Sequence, residues 1–402
     1  MLVLSSGAIS TPSAATPGRP RTVAILMLGA DNRQTKTWVV GACQSWYGGN
    51  MFINGLGTAN PPQRYTNTEC WEALTRSEWL LRLDRRARSL VETVLRGDNG
   101  IESRWLALNS LSEAFQIDPD TMHRRFESHA PALAAQAAER ALSNARILST
   151  EIDAVIVSTC TGYLCPGLSS YVTECLGLRP DVQAFDLVGQ GCVAALPNWR
   201  MADALLAAGS CRCVLSVCVE LSSAAMYLDN DPGVLISACL FGDGAGAVLL
   251  GDKPSPHKRR IEWKICVSLL NPAERDALRF EQRGGLLRNI LTRPVPQLAA
   301  EHAQRILDGV LGSKGLSYSD IKAWIWHAGG RDVLLALQNR LGLSCDDLRY
   351  SAAMLREYGN LSSAFVYFVL QAALADDAPG GWWWVSSFGA GFSCYGAMLE
   401  VA

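Results

Sequence analysis

The stretch "AFDLVGQGCVAALPNWRMADALLAAG" (184–209) passes from an apolar, strand-like segment through two glycines flanking Gln190 to Cys192, then into alanines and leucines at helical spacing. A strand that turns sharply into a helix is the building unit of an α/β protein with a buried sheet. The start of a helix also presents unpaired amide donors and partial positive charge, which pull a thiol toward its thiolate and favour a nucleophile there. The plainer reading is a buried cysteine packed in a glycine-rich turn. A proline past the first helical turn removes a hydrogen bond, so the regular helix is expected to begin near Pro197.

The same alternation extends on both sides. Apolar runs rich in β-branched residues, "AVIVSTC" (154–160), "VQAFDLV" (182–188), "CVLSVCVEL" (213–221) and "AGAVLLG" (245–251), read as strands separated by helical patterns such as 130–145. "GDKPSPHKRR" (251–260), with two prolines and four basic residues, reads as the crossover between two halves. A second series follows: strand 260–270, helix 297–311, strand-like 322–330, helices 331–341 and 360–375, and strands 381–389 and 395–401. Two α/β halves, 51–252 and 253–402, point to an internally duplicated architecture. Residues 1–50 stand apart as an extension. Residues 1–22 are rich in Ser, Pro, Ala and Gly without the basic start of a secretion signal, and are expected to be disordered. "MFINGLGTANPPQRY" (51–65) reads as strand, glycine turn and proline-marked loop, so Met51 is a candidate start of the domain.

Composition excludes several function classes. In 402 residues, 36 basic and 38 acidic side chains nearly cancel, and no Lys/Arg run interleaved with aromatics tracks a phosphate backbone, so nucleic acid is not an expected partner. No apolar run reaches the ~20 residues that span a bilayer. Thirteen cysteines, an odd number with several in apolar runs, fit reduced thiols in a cytoplasmic protein better than a disulfide framework. "CRC" (211–213) lacks further ligands at metal spacing.

Of the five histidines, His327 alone ends an apolar strand-like run and is followed by two glycines that admit a close ligand, which makes it the best partner for a thiolate at Cys192. A core histidine satisfied by a carbonyl is the bland alternative. Asn360 stands behind a glycine at a helix start, where capping alone explains it more often than catalysis. "LFGDGAGAVLL" (240–250) lacks the spacing and Lys-Ser/Thr of a phosphate loop.

Taken in order and spacing, "GQGCVAALPN" with Cys192, "LFGDGAGA" with Phe241, "WHAGG" with His327, "YGNLSSA" with Asn360 and "SFGAG" with Phe388 and Gly389 resemble the type III polyketide synthases, the chalcone-synthase-like enzymes. The resemblance covers about residues 51–402. It implies a thiolase fold of two duplicated βαβαβαβ-type halves, with mixed sheets sandwiched by helices, in a homodimer. It implies that Cys192 takes an acyl starter as a thioester and that His327 and Asn360 hold the malonyl-CoA carbonyl while carbon dioxide leaves. His327 would also stabilise the thiolate as an ion pair. Acyl-CoA and malonyl-CoA are the implied substrates, with no metal or dissociable cofactor.

Phe241 matches one of the family's two gatekeeper phenylalanines, whereas Asn289 stands near the second. Two cavity positions that carry threonine in plant chalcone synthases look like Cys160 and Ala225 here, beside Glu220, Ser222 and Ser362; Thr161 and Cys165 fall in the same lining. "CTGYLCPG" (160–167), "YLDNDPGVLISACLFGDG" (227–244) and "LLRNILT" (286–292) resemble the bacterial alkylresorcinol and alkylpyrone synthases. The smaller, more apolar lining is expected to admit a fatty acyl starter. The CoA phosphates are expected to meet Arg331, Arg96 or Arg104. Rival readings are a ketoacyl-synthase III type enzyme, which shares the Cys-His-Asn set and condenses once, and a chalcone-synthase-like enzyme with an aromatic starter. A thiolase using Cys394, a papain-like hydrolase and an inactive acyl-binding homologue fit the motifs less well.

Overall fold

Apolar runs without strict alternation become strands buried on both faces, as in Ala154–Ser158 and Gly244–Gly251, where every residue is buried. A computed structural model of the chain describes residues 41–44 and 50–402. The tail expected to be disordered, 1–22, lies outside the described residues. In chain order the strands are β1 (Gly41–Gln44), β2 (Met51–Ala59), β3 (Arg64–Thr66), β4 (Ser103–Trp105), β5 (Ala154–Ser158), β6 (Gln183–Asp186), β7 (Cys213–Glu220), β8 (Gly244–Gly251), β9 (Ile261–Leu270), β10 (Leu278–Arg283), β11 (Leu286–Leu291), β12 (Ile321–Trp326), β13 (Gly381–Gly389) and β14 (Ser393–Val401).

The large sheet runs β12-β13-β14-β9-β2-β8-β7-β5-β6, with β1 also paired to β9. Its two halves repeat one pattern. From β2 the pairings are antiparallel to β8, antiparallel to β7 and parallel to β5; from β9 they are antiparallel to β14, antiparallel to β13 and parallel to β12. The duplication that no residue-level repeat revealed is therefore written in the topology. The halves join where β2 meets β9 antiparallel, Met51 opposite Trp263 and Phe52 opposite Glu262. The crossover expected at 251–260 occupies the link from β8 to β9.

Between the halves lie two helices, Ala195–Ala207 and Phe365–Ala375. They touch through Trp199, whose indole donates to the Tyr367 hydroxyl (3.1 Å), with the two rings edge-on at 5.6 Å. Each helix is preceded by a short 3-10 turn, Gly191–Val193 in one half and Ser362–Ala364 in the other. These two turns carry the chemistry-bearing residues to one place. The helix expected at 360–375 is thus shorter, because its first turn is tightened around Ser362.

One expectation fails in β2. Gly55 and Gly57 form no turn; they continue a nine-residue strand beneath the helix Pro119–Ala145. A Cβ on Gly55 would lie 2.4 Å from the Ala141 carbonyl oxygen, and one on Gly57 2.2 Å from that of Ala137. The glycines are there for close helix-on-strand packing, which their sequence context does not distinguish from a turn.

Candidate active site

Gly189 and Gly191 adopt φ of 78° and 60°, the left-handed region that most side chains avoid, and so turn the chain from β6 toward the helix. Cys192 follows in the 3-10 turn, and the regular helix starts at Ala195 with Pro197 in its first turn, where a proline is tolerated. The Cys192 thiol is buried and lies 3.3 Å from the Ser362 hydroxyl. The Ser387 hydroxyl donates to the Cys192 carbonyl (2.7 Å), and Gly389 sits so close that a Cβ there would be 3.0 Å from the Cys192 amide nitrogen.

His327 follows β12. Its amide donates to the Ser386 carbonyl of β13 (2.9 Å), and its ring is held between Phe388 (5.2 Å) and Phe365 (5.5 Å). His327 is 1% exposed, and its Nδ1 has no partner among the described residues. Asn360 is tied at both ends of its amide. Oδ1 accepts from the Ser362 amide (2.8 Å), while Nδ2 donates one hydrogen to the Gly329 carbonyl (3.0 Å) and keeps the other. Asn360 caps no helix: its bond to the Ser362 amide closes a local turn ahead of the 3-10 turn Ser362–Ala364, whose N-cap position is Leu361, and this turn holds the carboxamide in place. An isolated bridge pairs Asn360 with Phe241.

Burial decides the protonation states. It pushes the Cys192 thiol up to about 12 and the His327 imidazole down to about 3, since a dry environment disfavours either charged form. The expectation of a thiol lowered by a helix N-terminus is corrected here. Cys192 lies before the first regular turn, and desolvation is the largest influence on its thiol. Burial thus favours the neutral thiol and the neutral imidazole.

Behind these residues Glu220, 0% exposed at the end of β7, binds the Cys160 amide (3.0 Å) and the hydroxyls of Thr161 (3.1 Å), Ser362 (3.2 Å) and Ser363. Burial raises its pKa, opposed by these donors. Cys160 and Cys192 both lie 3.3 Å from the same Ser362 oxygen, so a continuous polar chain links Cys192 to Glu220.

The cavity in front is lined by Cys160, Thr161, Ser222, Ala225, Phe241, Asn289 and Ser362, all seven expected from sequence. Phe280, Leu287, Met226, Tyr227, Val234 and Ser237 complete it. The first two come from the β10–β11 hairpin, of which the sequence places Asn289 alone in the lining. A wider cleft of about 630 Å³ continues past Gly189 and Gly191 and shares Cys160, Thr161 and Ala225 with the cavity.

Several assignments change. Glu220, Phe388 and Gly389 line neither space: Glu220 is buried behind the lining, while Phe388 packs on the His327 ring and Gly389 on the Cys192 backbone. Cys165 lies exposed and lines neither space. Arg104 is 3% exposed, and its guanidinium donates to the Ala238 (2.6 Å) and Phe241 (3.2 Å) carbonyls, so it fixes the backbone beneath Phe241 instead of reaching for a phosphate. Arg96 lies on an exposed helical face, paired with Glu92 (2.7 Å). Arg331, at the start of the helix Arg331–Leu341, is half-exposed against the Asp98–Gly100 loop.

With this geometry in hand, comparison with known proteins is specific. Residues 108–278 match the FAE1/type III polyketide synthase-like family and residues 270–397 the C-terminal domain of chalcone and stilbene synthases. A 3,5-dihydroxyphenylacetyl-CoA synthase of Amycolatopsis balhimycina is 31% identical over 272 residues, 66% of this chain and 72% of the relative. The enzyme of the same name from Amycolatopsis orientalis is 29% identical over 359 residues, 86% of this chain and 92% of the relative. Among solved structures, PKS-I from the brown alga Ectocarpus siliculosus superposes with a TM-score of 0.81 at 26% identity, covering 92% of this chain and 100% of that one. The fungal type III polyketide synthase ORAS shares the fold, with a TM-score of 0.76 at 24% identity over 88% of this chain and 100% of that one. A duplicated sheet, a Cys192 and an Asn360 joined through Ser362 at the wall of one cavity, and relatives spanning both halves lead to one assignment: the chain belongs to the type III polyketide synthases, malonyl-CoA-dependent acyltransferases of the thiolase fold.

Proposed function

We propose that this synthase extends a long-chain fatty acyl starter, carried as a thioester on Cys192, with malonyl units and closes the product as an alkylresorcinol or alkylpyrone. One observation carries the starter class. Met226 and Tyr227 wall the active cavity on one side and a second, apolar compartment on the other, lined by Leu74, Val91, Leu95, Leu106 and Phe115. An alkyl tail passing that wall gains roughly 0.8 kcal/mol for each methylene it buries. An aromatic starter has no use for such a compartment. The names of the relatives describe a 3,5-dihydroxyphenyl product, a ring of the resorcinol type, which favours carbon–carbon closure over lactonisation as the outcome here.

In this mechanism the neutral imidazole of His327 and the free N–H of Asn360 donate to the malonyl thioester carbonyl. As carbon dioxide leaves, negative charge moves onto that oxygen, where fixed donors in a dry site stabilise it. The enolate carbon attacks the acyl carbonyl on Cys192, and the sulfur departs. CoA thioesters and the chain's own side chains supply every group. Arg331 is the proposed cation for the CoA phosphates, and a reducing cytoplasm the proposed location. A homodimer is the proposed assembly: β6 is a sheet edge, and Tyr163 (71% exposed) and Val188 (62%) offer apolar surface beside it.

Filling the compartment tests the starter class. Val91→Trp should lower kcat/KM for acyl-CoAs of twelve or more carbons by at least about tenfold, since losing two or three buried methylenes suffices, while sparing short starters. A uniform loss across chain lengths would contradict the proposal.

A further inference from the structure

We propose that Asn289 and Ser222 are the polar recognition points of the cavity, an acceptor and a hydroxyl that bind the enol or phenol hydroxyl of the extended chain. The inference rests on the polyketide reading above and goes on to say what holds the intermediate. Asn289 stands on β11 opposite Phe280 and is 5% exposed. Its Nδ2 donates to the Ser237 hydroxyl (2.7 Å), and that hydroxyl donates to the Gly233 carbonyl (2.7 Å). A serine hydroxyl has one proton. Because Ser237 spends it on Gly233, it receives the amide N–H, and the orientation of the Asn289 carboxamide is fixed by that chain of bonds.

Oδ1 is then left as a buried acceptor with no partner among the described residues, on a side chain that lines the cavity. Ser222, 3% exposed, lines the same cavity and its hydroxyl is likewise unpartnered. Buried polar atoms normally find partners, so two orphans on side chains that line one cavity point to a ligand that supplies them. A chain built from malonyl units offers ketone oxygens, which only accept, and methylenes. It acquires a donor when a β-dicarbonyl enolises, or when the closed ring carries a phenol. Oδ1 therefore selects the enolised or aromatic form over the diketone, and the Ser222 hydroxyl oxygen can accept from a second enol or phenol hydroxyl of the same chain. A phenylalanine at 289 would provide a wall without this selection.

The test measures binding and needs no turnover, so its failure is distinct from failure of the polyketide reading, which absence of any extension product would show. The affinities of 5-pentylresorcinol and of its dimethyl ether, which lacks both donors, are compared by calorimetry on the full chain and on Asn289→Leu and Ser222→Ala. The wild type should favour the resorcinol by roughly tenfold or more, and Asn289→Leu should narrow that ratio to about twofold. Ser222→Ala leaves the hairpin anchor untouched and should narrow the ratio severalfold, which keeps the proposal decidable if Asn289→Leu does not fold. Equal binding of the two compounds by the wild type, or a ratio unchanged in the folded variants, would overturn it.

Discussion

Ser362 has φ of 51°, an uncommon conformation for a residue with a side chain, and it is held there by the Asn360 carboxamide. In that position its hydroxyl meets Cys192, Cys160 and Glu220 at once. The neutral resting state of Cys192 has a consequence for reactivity. With the thiol pushed up to about 12, the thiolate fraction rises with pH throughout the accessible range. The rate of iodoacetamide inactivation should climb about tenfold per pH unit between about pH 6 and 9. A rate that is flat over that range would mean a preformed thiolate–imidazolium pair. At this scale the sequence was legible where a side chain is tied to a motif: Cys192, His327 and Asn360 each carry their backbone context with them. Arg104 and Cys165 were not, because nothing local distinguishes an inward arginine from a surface one, or a cysteine near the cavity from one turned to solvent.

Elements are set by period and by what packs on them. The buried strands were readable as apolar runs, and the boundaries moved where a tertiary contact intervened. β6 is four residues instead of seven, since it is the sheet edge and the chain leaves it early for the glycine turn. Gly55 and Gly57 look the same in sequence whether they turn or pack. Gly57→Ala should destabilise the protein by about 3 kcal/mol in denaturant unfolding, because the helix above must shift. Gly309→Ala, inside the helix Val295–Lys314 with nothing within 4 Å of the added carbon, should instead stabilise by about 0.5–1 kcal/mol. Destabilisation of equal size at both positions would refute the packing account. In the β10–β11 hairpin only Asn289 was placed from sequence; Phe280 and Leu287, which join it in the cavity, were missed because the strands are half-exposed and charged.

For the whole molecule, the duplicated pairing pattern explains why one cavity receives its residues from both halves: Cys160, Ser222 and Phe241 from the first, Asn289 and Ser362 from the second. Motif order in the sequence conveyed that convergence, but the topology that produces it was visible only as alternating elements. The exposed edge at β6, with Tyr163 and Val188 beside it, gives the dimer proposal its test. Val188→Asp should convert a dimer in sedimentation velocity into a monomer, since a buried unpaired charge at an interface is strongly disfavoured. A monomeric wild type would contradict the proposed assembly.

The most direct test of the central claim is to incubate the purified protein with malonyl-CoA and acyl-CoAs of increasing chain length and to weigh the products by mass spectrometry, with Cys192→Ala alongside. The account predicts multiply extended alkylresorcinols or alkylpyrones from long acyl starters, absent with Cys192→Ala. A single condensation per starter, extension of aromatic starters alone, or products that persist in the variant would contradict it.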